Sequence, residues 1–311
     1  MSEKKVPVLE VKHLCKYFYQ GKTPSKAVHD VNFEVFKGET FGLVGESGCG
    51  KTTTGRTIIR LYKPTSGEVW FNGSRIDGKL SKEESRAVTS RMQMIFQDPV
   101  ASLNPRMTVE EIISEGARLN GVFPSREELK ANVRRMLELV GLTGEHATRY
   151  PHEFSGGQRQ RICIARALIT KPDLVIADEP ISALDVSIQA QVLNLLNDLR
   201  QELGLTILFI AHDLSVVKYF SERIAVMNRG QIVETAPSEL LYSNPVHAYT
   251  RSLLSAIPVP NPLVEKKRVR FEYDPASHQY TQDDPPEMRE VEPGHLVLMS
   301  GKEFEAYQKA R

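Results

Sequence analysis

The sequence predicts an α/β protein with a largely parallel sheet, and three features of the pattern carry that prediction. Short apolar strands alternate with helices along most of the chain, as they do in α/β sandwiches. A glycine-rich loop, residues 45–50, connects one apolar strand to a helix, and Asp178 ends another apolar strand. Prolines and charged residues become frequent after about Ser243. We therefore expect one α/β domain over residues 6–240 and a C-terminal extension over residues 241–311.

The first half of the chain contains strands on both sides of the glycine-rich loop. Val31, Phe33 and Val35 alternate with polar residues, which is the pattern of a half-buried strand. Ser125 and Glu128 have the spacing of a helix capping box. The expected strands of this half are 31–35, 40–44, 68–72 and 92–96, and the expected helical stretches are 51–61 and 108–140.

The second half of the chain ends its α/β pattern with a hairpin. The turn residues Asn228, Arg229 and Gly230 separate two apolar runs, which predicts a pair of antiparallel strands. The expected helices of this half are 158–168 and 186–203, and the expected strands are 173–178, 206–211, 224–227 and 231–235.

Composition argues against several classes of protein. The 311 residues include 40 basic and 39 acidic residues, which gives a formal net charge of +1. A general nucleic-acid binder normally has an excess of basic residues, so this balance disfavours that class. The three cysteines, Cys15, Cys49 and Cys163, show no disulfide or paired metal-ligand pattern, as in reducing compartments. The N-terminus lacks a signal-peptide pattern, and the apolar runs are far shorter than the roughly 20 residues that cross a bilayer.

The segment GESGCGKT matches the phosphate-binding pattern G-x-x-x-x-G-K-[ST], with Gly45, Gly50, Lys51 and Thr52 at the required positions. Glycines let backbone N–H groups converge on phosphate oxygens, and the helix that follows adds the positive end of its dipole. Lys51 would contact the β- and γ-phosphates of a nucleotide, and Thr52 would offer its hydroxyl to magnesium. The alternative is a glycine-rich turn without a ligand, but a chance match has a probability of about 1 in 100.

The segment DLVIADEP supplies the acidic part of this predicted site. Asp178 follows an apolar strand at its carboxyl end, which is the edge where open α/β sheets bind ligands. In P-loop enzymes a carboxylate at this position holds the magnesium shell, and Glu179 is placed to orient or polarise the attacking water. A strand that ends in Asp-Glu is common, so this pattern gains its weight from the phosphate loop upstream.

The segment FSGGQRQR, from Phe154 to Arg161, resembles the signature motif of the ATP-binding cassette (ABC) ATPases. The one departure is Phe154, where leucine is usual, and this apolar exchange leaves the chemistry intact. Ser155, Gly156 and Gly157 approach a helix N-terminus with few side-chain atoms, which is the structure of a second anion site. An ordinary loop that enters a helix is the alternative.

Further motifs of the ABC family match in order. Gln97 in MIFQDP corresponds to the Q-loop glutamine, a magnesium contact, and a polar strand end is its alternative. Ser182 to Asp185 (SALD) resembles the D-loop, with a simple helix cap as its alternative. His212 matches the switch histidine that senses the γ-phosphate, although lone histidines are more often structural. Tyr17 matches the aromatic residue that stacks on adenine, and its alternative is a half-buried strand aromatic.

The resemblance covers residues 8–240 and implies a fold, a dimer and a site. The fold is that of a P-loop NTPase of the ABC ATPase type, with a mostly parallel sheet, an antiparallel β subdomain and an inserted helical subdomain at about 100–160. Two cassettes dimerise head to tail, so that each ATP lies between the phosphate loop of one subunit and the signature loop of the other. The implied catalytic residues are Lys51, Glu179 and His212; the implied magnesium ligands are Thr52, Gln97 and Asp178; the implied ATP contacts are Tyr17, Gly45, Glu46, Ser47, Gly48, Cys49, Gly50, Lys51, Thr52, Thr53, Ser155, Gly156, Gly157 and Gln158.

Two segments indicate which ABC machine this is. Residues 97–113 and 242–260 resemble the ATPases of dipeptide and oligopeptide importers, most closely the F-type subunit of oligopeptide permeases. The resemblance implies a second ATPase subunit in a heterodimer, two membrane-spanning permease subunits, an extracellular peptide-binding protein and a peripheral position on the cytoplasmic face of the cell membrane. Many members carry a cysteine cluster in the extension that holds an iron–sulfur centre. No cysteine follows Cys163, so we expect no cluster.

Three alternatives remain. A nucleic-acid-linked ABC ATPase normally has a long coiled coil inside the cassette, and no sustained heptads lie between Lys51 and Asp178. A regulatory nucleotide-binding module without turnover is disfavoured by the intact Glu179 and His212. The same kind of importer with dipeptide, nickel or another solute as cargo is the main alternative, because the ATPase does not touch the cargo.

Overall fold

The structure, a computed structural model, describes residues 6–21, 23–257, 270–278 and 280–310. Within this part of the chain the strands form two sheets, one of four strands and one of eight. The strands are β1 (Pro7–Gln20), β2 (Thr23–Phe36), β3 (Thr40–Val44), β4 (Ser66–Phe71), β5 (Ser74–Arg75), β6 (Met92–Ile95), β7 (Leu174–Asp178), β8 (Thr206–Ala211), β9 (Arg223–Asn228), β10 (Gln231–Pro237), β11 (Glu287–Glu292) and β12 (His295–Met299).

The smaller sheet is antiparallel and has the strand order β2-β1-β4-β5. Its longest members, β1 and β2, extend well beyond the strand predicted at 31–35. The pairing is interrupted by register shifts, for example between Val11 and Leu14, which break the alternation that sequence reasoning relies on. This sheet agrees with the antiparallel β subdomain that the family resemblance implies.

The larger sheet has the strand order β11-β12-β10-β9-β3-β8-β7-β6. Its centre is parallel, because β3 pairs with β8 and β9, and β7 pairs with β6 and β8. Val44 lies opposite Ala211, and Asp178 lies opposite Ile210. The segments after β3, β7 and β8 therefore leave the sheet at one edge, and these segments carry the predicted phosphate loop, Glu179 and His212.

The parallel strands are buried on both faces. Along β8, Ile207 and Phe209 belong to one apolar core, while Leu208 and Ile210 belong to a second core on the other face. Successive residues of a strand point to opposite faces, so a strand covered on both sides is apolar throughout. This explains why the predicted strand 206–211 is apolar without interruption from Ile207 to Ala211.

Helices pack against the larger sheet, and several of them form a helical segment between β6 and β7. They are α1 (Lys51–Ile58), α2 (Lys82–Arg91), α3 (Pro99–Ser102), α4 (Val109–Asn120), α5 (Arg126–Leu139), α6 (Gly156–Leu168), α7 (Val186–Leu203), α8 (Leu214–Phe220), α9 (Ser238–Ser243), α10 (Ala248–Ala256) and α11 (Gly301–Lys309). Within the described residues, no helix has the length and apolarity needed to cross a membrane.

The helical stretch predicted at 108–140 is two helices instead of one. Gly121 has φ +65° and ends α4, because a left-handed residue cannot continue the helix. Ser125 then begins α5, and its hydroxyl accepts a hydrogen bond from the Glu128 N–H at 3.1 Å. The predicted helix 51–61 is also shorter than expected and ends at Ile58.

The C-terminal segment is hydrogen bonded to the larger sheet. Strand β12 pairs with β10 through Glu234 opposite Val297 and Thr235 opposite Leu296, and β11 adds a further strand outside β12. Residues 258–260 of the importer-like segment 242–260 lie outside the described residues. The division at about residue 240, like the helical subdomain at about 100–160, stays a prediction.

Candidate active site

The phosphate loop connects β3 to α1, and two of its glycines are packed against backbone. Gly45 has φ +154°, and a Cβ atom there would lie 2.1 Å from the carbonyl oxygen of Met227. Gly50 has φ +113°, and a Cβ atom there would lie 2.1 Å from the carbonyl oxygen of Ala27. No larger residue fits either position without moving the backbone. The rest of the predicted loop, Glu46, Ser47, Gly48 and Cys49, lies between these glycines, and Lys51, Thr52 and Thr53 begin α1.

The side chain of Lys51 lies inside the phosphate loop and is only 4% exposed. Its ammonium group donates to the carbonyl oxygens of Gly45 at 2.8 Å and Glu46 at 3.0 Å. Its Nζ also lies 3.9 Å from Cys49 Sγ. Burial raises the pKa of the Cys49 thiol, so this thiol is neutral near pH 7. Cys49 therefore supplies no thiolate that would neutralise the ammonium group of Lys51.

Asp178 and Thr52 are joined at the carboxyl edge of the sheet. Thr52 Oγ1 donates to Asp178 Oδ1 at 2.8 Å. Asp178 is fully buried, and this burial raises the pKa of its carboxyl group, although the Thr52 bond acts in the opposite direction. Asp178 Oδ2 is buried and has no hydrogen-bond partner among the described residues. A buried carboxylate oxygen without a donor, beside a hydroxyl group, is suited to a hard cation.

Three predicted site residues meet on the carboxylate of Glu179. Gln97 Nε2 donates to Glu179 Oε2 at 3.1 Å, and His212 Nδ1 lies 3.1 Å from the same oxygen. Lys51 Nζ lies 3.9 Å from Oε1. Glu179 has φ +45°, a left-handed conformation that is unusual for a residue with a side chain and is concentrated at functional sites. The contact between Gln97 and Glu179 was not predicted, because Gln97 was assigned to magnesium.

The signature loop forms the first turn of α6. Ser155 Oγ accepts from Gln158 N–H at 3.4 Å, and Gln158 Oε1 accepts from Ser155 N–H at 3.0 Å, which is a capping box. A Cβ atom on Gly157 would lie 2.6 Å from Ile188 Cγ2, whereas Gly156 has more space. In the part of the chain that the structure describes, these side-chain bonds stay within the turn and do not reach the phosphate loop. The anion-binding role of the signature loop stays a prediction.

The predicted D-loop lies between Glu179 and α7. Ser182 Oγ donates to the carbonyl oxygen of Glu179 at 3.1 Å, which ties the loop to the base of the site. Asp185 is the N-cap residue of α7 but makes no side-chain cap bond. Asp185 therefore caps α7 through its backbone carbonyl oxygen, which accepts from the N–H groups of Ile188 and Gln189 at 2.9 Å. The D-loop assignment stays a prediction.

Tyr17 lies on the antiparallel sheet beside the phosphate loop. Its hydroxyl lies 2.6 Å from His29 Nδ1, and the two ring centroids are 5.8 Å apart. His29 N–H in turn donates to Gly230 O at 2.7 Å, and Gly230 N–H donates to Cys49 O at 2.8 Å. A short chain of contacts thus joins Tyr17 to the loop, and its stacking on adenine stays a prediction.

Tyr249 contacts the phosphate loop and was missed from the sequence. It belongs to α10 in the C-terminal segment and is 2% exposed. Its hydroxyl accepts a hydrogen bond from the backbone N–H of Glu46 at 3.1 Å. No sequence pattern indicates this contact, because a tyrosine at helical spacing is most often a core residue and the two positions are far apart in the chain.

The site combines a glycine-rich phosphate loop, a buried lysine, a carboxylate paired with a hydroxyl, and a second carboxylate held by an amide and an imidazole. This combination, at the carboxyl edge of a parallel sheet, defines the class of P-loop nucleotide hydrolases. The comparisons with known proteins then narrow that class.

A family model described as "ABC transporter" matches residues 28–182. The oligopeptide transport ATP-binding protein OppF of Bacillus subtilis is 58% identical over 307 residues, which span 99% of this chain and 100% of that protein. The dipeptide transport ATP-binding protein DppF of Lactococcus lactis is 53% identical over 312 residues, which span 99% of each chain. Among solved structures, the dimeric post-hydrolysis state of the ATP-binding cassette MJ0796 bound to ADP and Pi matches with a TM-score of 0.67 and 29% identity, over 74% of this chain and 98% of that chain.

The chain belongs to the ABC transporter ATPases, in the family of ATP-binding subunits of oligopeptide and dipeptide transporters. The fold class and the family predicted from the sequence are both confirmed. The roles of the individual site residues stay predictions.

Proposed function

We propose that this chain binds MgATP and hydrolyses ATP to power the uptake of oligopeptides by an ABC importer. The observation that carries the proposal is the meeting of Lys51, Gln97 and His212 on the carboxylate of Glu179. A nucleotide-binding module without turnover has no need for a carboxylate held in this way. Family membership and the transport functions for which the relatives are named supply the link to transport.

Glu179 is the residue that acts on the attacking water in this proposal. Gln97 and His212 both lie on Oε2, and this fixes the carboxylate plane, while Oε1 faces the ammonium group of Lys51. A carboxylate oriented beside the γ-phosphate can hold a water in line and accept its proton. Lys51 would turn from its carbonyl partners to the phosphate oxygens, and His212 would sense the γ-phosphate through the Glu179 contact.

The residues at the edge of the sheet fit a magnesium ion. Asp178 Oδ2 is buried without a protein partner, and Thr52 offers a hydroxyl on the neighbouring oxygen. Oxygen donors of this kind are the ligands that Mg²⁺ prefers, and Gln97 adds an amide to the proposed set. A bound magnesium ion neutralises negative charge on the phosphates that develops during phosphoryl transfer.

The proposed assembly is a heterodimer with a second ATPase subunit. Among the described residues, the side-chain bonds of the signature loop do not reach the phosphate loop of the same chain. In the proposed dimer, the phosphate loop of each subunit would therefore form a complete site with the signature loop of the other subunit. Two membrane-spanning permease subunits and an extracellular peptide-binding protein would complete the importer. The ATPase pair would lie on the cytoplasmic face of the cell membrane, with no role for nucleic acid.

The names of the two relatives favour two candidate cargoes. The Bacillus subtilis relative is named for oligopeptide transport, and the Lactococcus lactis relative for dipeptide transport. We take oligopeptides as the cargo because the former relative is the more similar of the two.

Uptake in cells tests the proposal. A strain lacking this chain would be complemented with wild type, with Glu179→Gln, or with the control Glu202→Gln, which alters an exposed carboxylate at the end of α7. Uptake of a labelled tetrapeptide, a labelled dipeptide and nickel would be measured, together with the amount of the chain at the membrane.

We expect wild type and Glu202→Gln to restore tetrapeptide uptake, and Glu179→Gln to remain membrane-bound but inactive. Restoration of dipeptide or nickel uptake alone would refute the oligopeptide cargo. Full uptake by Glu179→Gln would refute the role given to this carboxylate.

A further inference from the structure

The phosphate loop begins with a peptide unit that two side chains hold from opposite ends. In the unit between Gly45 and Glu46, the carbonyl oxygen accepts a hydrogen bond from Lys51 Nζ at 2.8 Å. The N–H of the same unit donates to the Tyr249 hydroxyl at 3.1 Å. Gly45 has φ +154°, and a glycine offers little steric resistance to rotation of the adjoining peptide. The orientation of this unit therefore depends on these two side chains.

One of these two restraints is lost when nucleotide binds. Lys51 is the residue assigned to the phosphates, and an ammonium group that turns to them releases the carbonyl oxygen of Gly45. The hydroxyl of Tyr249 then remains as the side-chain contact that fixes the start of the loop. A loop held in its binding conformation before the ligand arrives loses less entropy on binding.

Tyr249 is itself held rigidly by the C-terminal segment. The buried carboxylate of Glu234 on β10 accepts hydrogen bonds from the N–H groups of Val246 at 2.8 Å and His247 at 3.0 Å, just before α10 begins. Glu234 also pairs with His295 on β12 at 2.7 Å, and both side chains are fully buried. The Tyr249 ring packs edge-on against Tyr273, with centroids 5.3 Å apart.

We propose that Tyr249 is a positioning residue for nucleotide binding, through which the C-terminal segment sets the affinity of the phosphate loop. This inference rests on the proposed ATP site and adds a contribution from outside the predicted ATPase domain. Tyr249 does not touch the nucleotide. It acts through the peptide unit of Gly45 and Glu46, so it affects ATP and ADP alike.

The test compares Tyr249→Phe with wild type in the full chain. Phenylalanine keeps the packing against Tyr273 and removes only the hydroxyl. The matched control is Tyr280→Phe, which removes a hydroxyl from the same segment whose contact is the carbonyl oxygen of Leu298 at 3.4 Å. Affinities for ATP and ADP would be measured by calorimetry, thermal stability by a melting curve, and KM and kcat for ATP in the assembled complex.

We expect Tyr249→Phe to weaken ATP and ADP binding by about fivefold each, the effect of one lost neutral hydrogen bond. The KM for ATP would rise by a similar factor and kcat would change less than about twofold, because the hydroxyl acts on binding and not on the reaction. The melting temperature would fall by no more than about 2 °C, because the lost hydrogen bond is also present in the free chain. Tyr280→Phe would match wild type in every measurement.

Each of three results would overturn the inference. If wild type binds ATP and Tyr249→Phe binds it equally well, the inference fails and the proposed function stands. An equal loss of affinity in Tyr280→Phe, with a lower melting temperature in both variants, would show a general structural effect in place of positioning. If wild type itself binds no nucleotide, the proposed function fails and this inference fails with it.

Discussion

The phosphate loop and the signature loop are both glycine-containing turns that lead into a helix, yet their polar groups are engaged differently. In the phosphate loop, the ammonium group of Lys51 donates to the carbonyl oxygens of Gly45 and Glu46 and faces the carboxylate of Glu179. In the signature loop, Ser155 and Gln158 cap their own helix. The first loop is connected to other predicted site residues within the chain, whereas the side-chain bonds of Ser155 and Gln158 stay within the first turn of α6.

This difference fits the proposal that one folded chain supplies half of a complete nucleotide site. Glu179, Lys51 and the proposed magnesium ligands Thr52 and Asp178 are joined by contacts within the chain, so they are positioned before any second subunit arrives. In the proposed dimer, the signature loop would keep its capping bonds until a phosphate offers a better partner. Hydrolysis would therefore depend on a dimer, while nucleotide binding would depend mainly on this chain.

Lys51→Met gives the largest expected effect and tests the phosphate loop, whose side-chain contacts to other site residues lie within this chain. Methionine keeps the apolar stem in the loop but removes the charge that would bind two phosphates. We expect ATP affinity to fall by about 100-fold or more, the loss of about two charge-assisted hydrogen bonds. Calorimetry on the full chain measures this, with Lys130→Ala as the control because that lysine pairs with Glu110 on the helical segment. Affinity within twofold of wild type would contradict the phosphate role.

Ser155→Ala gives an intermediate effect and tests the signature loop, which would act on the nucleotide of the second subunit. We expect the chain's own ATP affinity to be unchanged, and hydrolysis at the second subunit's site to fall by about tenfold, the loss of one hydrogen bond to a charged phosphate. The complex would also carry Glu179→Gln, so that the remaining turnover comes from the second subunit's site.

The control for this prediction is Ser125→Ala, because Ser125 caps α5 in the same way that Ser155 caps α6. Loss of a helix cap costs about 1 kcal/mol in either case. Equal hydrolysis by the two variants would mean that Ser155 is only a cap.

Asp178→Asn gives the smallest effect and concerns stability. Burial raises the pKa of Asp178, so the folded chain binds its proton more tightly than the unfolded chain does. The folded chain therefore loses stability as the pH rises from the pKa of this carboxyl group in the unfolded chain to its pKa in the folded chain. At neutral pH the charged, buried carboxylate lowers the free energy of unfolding. We expect Asp178→Asn to raise the melting temperature of the nucleotide-free chain by roughly 2 °C at pH 7, and to abolish the further stabilisation by MgATP over ATP alone. The stabilising effect on the free chain should vanish at pH 3. A variant less stable than wild type at pH 7 would contradict this account.

Local patterns were sufficient for the parts of the site that lie on strand–loop–helix units. The phosphate loop and the Asp178–Glu179 pair follow apolar strands, and their chemistry is encoded by adjacent residues. Gln97 and His212 could be assigned only through the family resemblance, since a single polar residue at a strand end has no pattern of its own.

Contacts between distant segments could not be predicted. Tyr249 reaches Glu46 because β10 and β12 anchor the start of α10, and this depends on the pairing of Glu234 with Val297 across the sheet. The split of the stretch 108–140 at Gly121 was missed for a different reason: a single glycine inside a helical pattern is often tolerated, and only its left-handed conformation ends α4. Strand β1 was missed because register shifts disturb its alternation.

The most direct test of the account is a single-turnover measurement on the assembled complex. The second subunit's site would be inactivated, so that only the site with this chain's phosphate loop can turn over, and wild type would be compared with Glu179→Gln. We expect Glu179→Gln to bind ATP as wild type does, but to hydrolyse it about 100- to 10,000-fold more slowly, the usual contribution of a positioned general base. The bound nucleotide would then be recovered as ATP. Recovery of ADP at the wild-type rate would contradict the claim that this carboxylate, held by Gln97 and His212, drives hydrolysis.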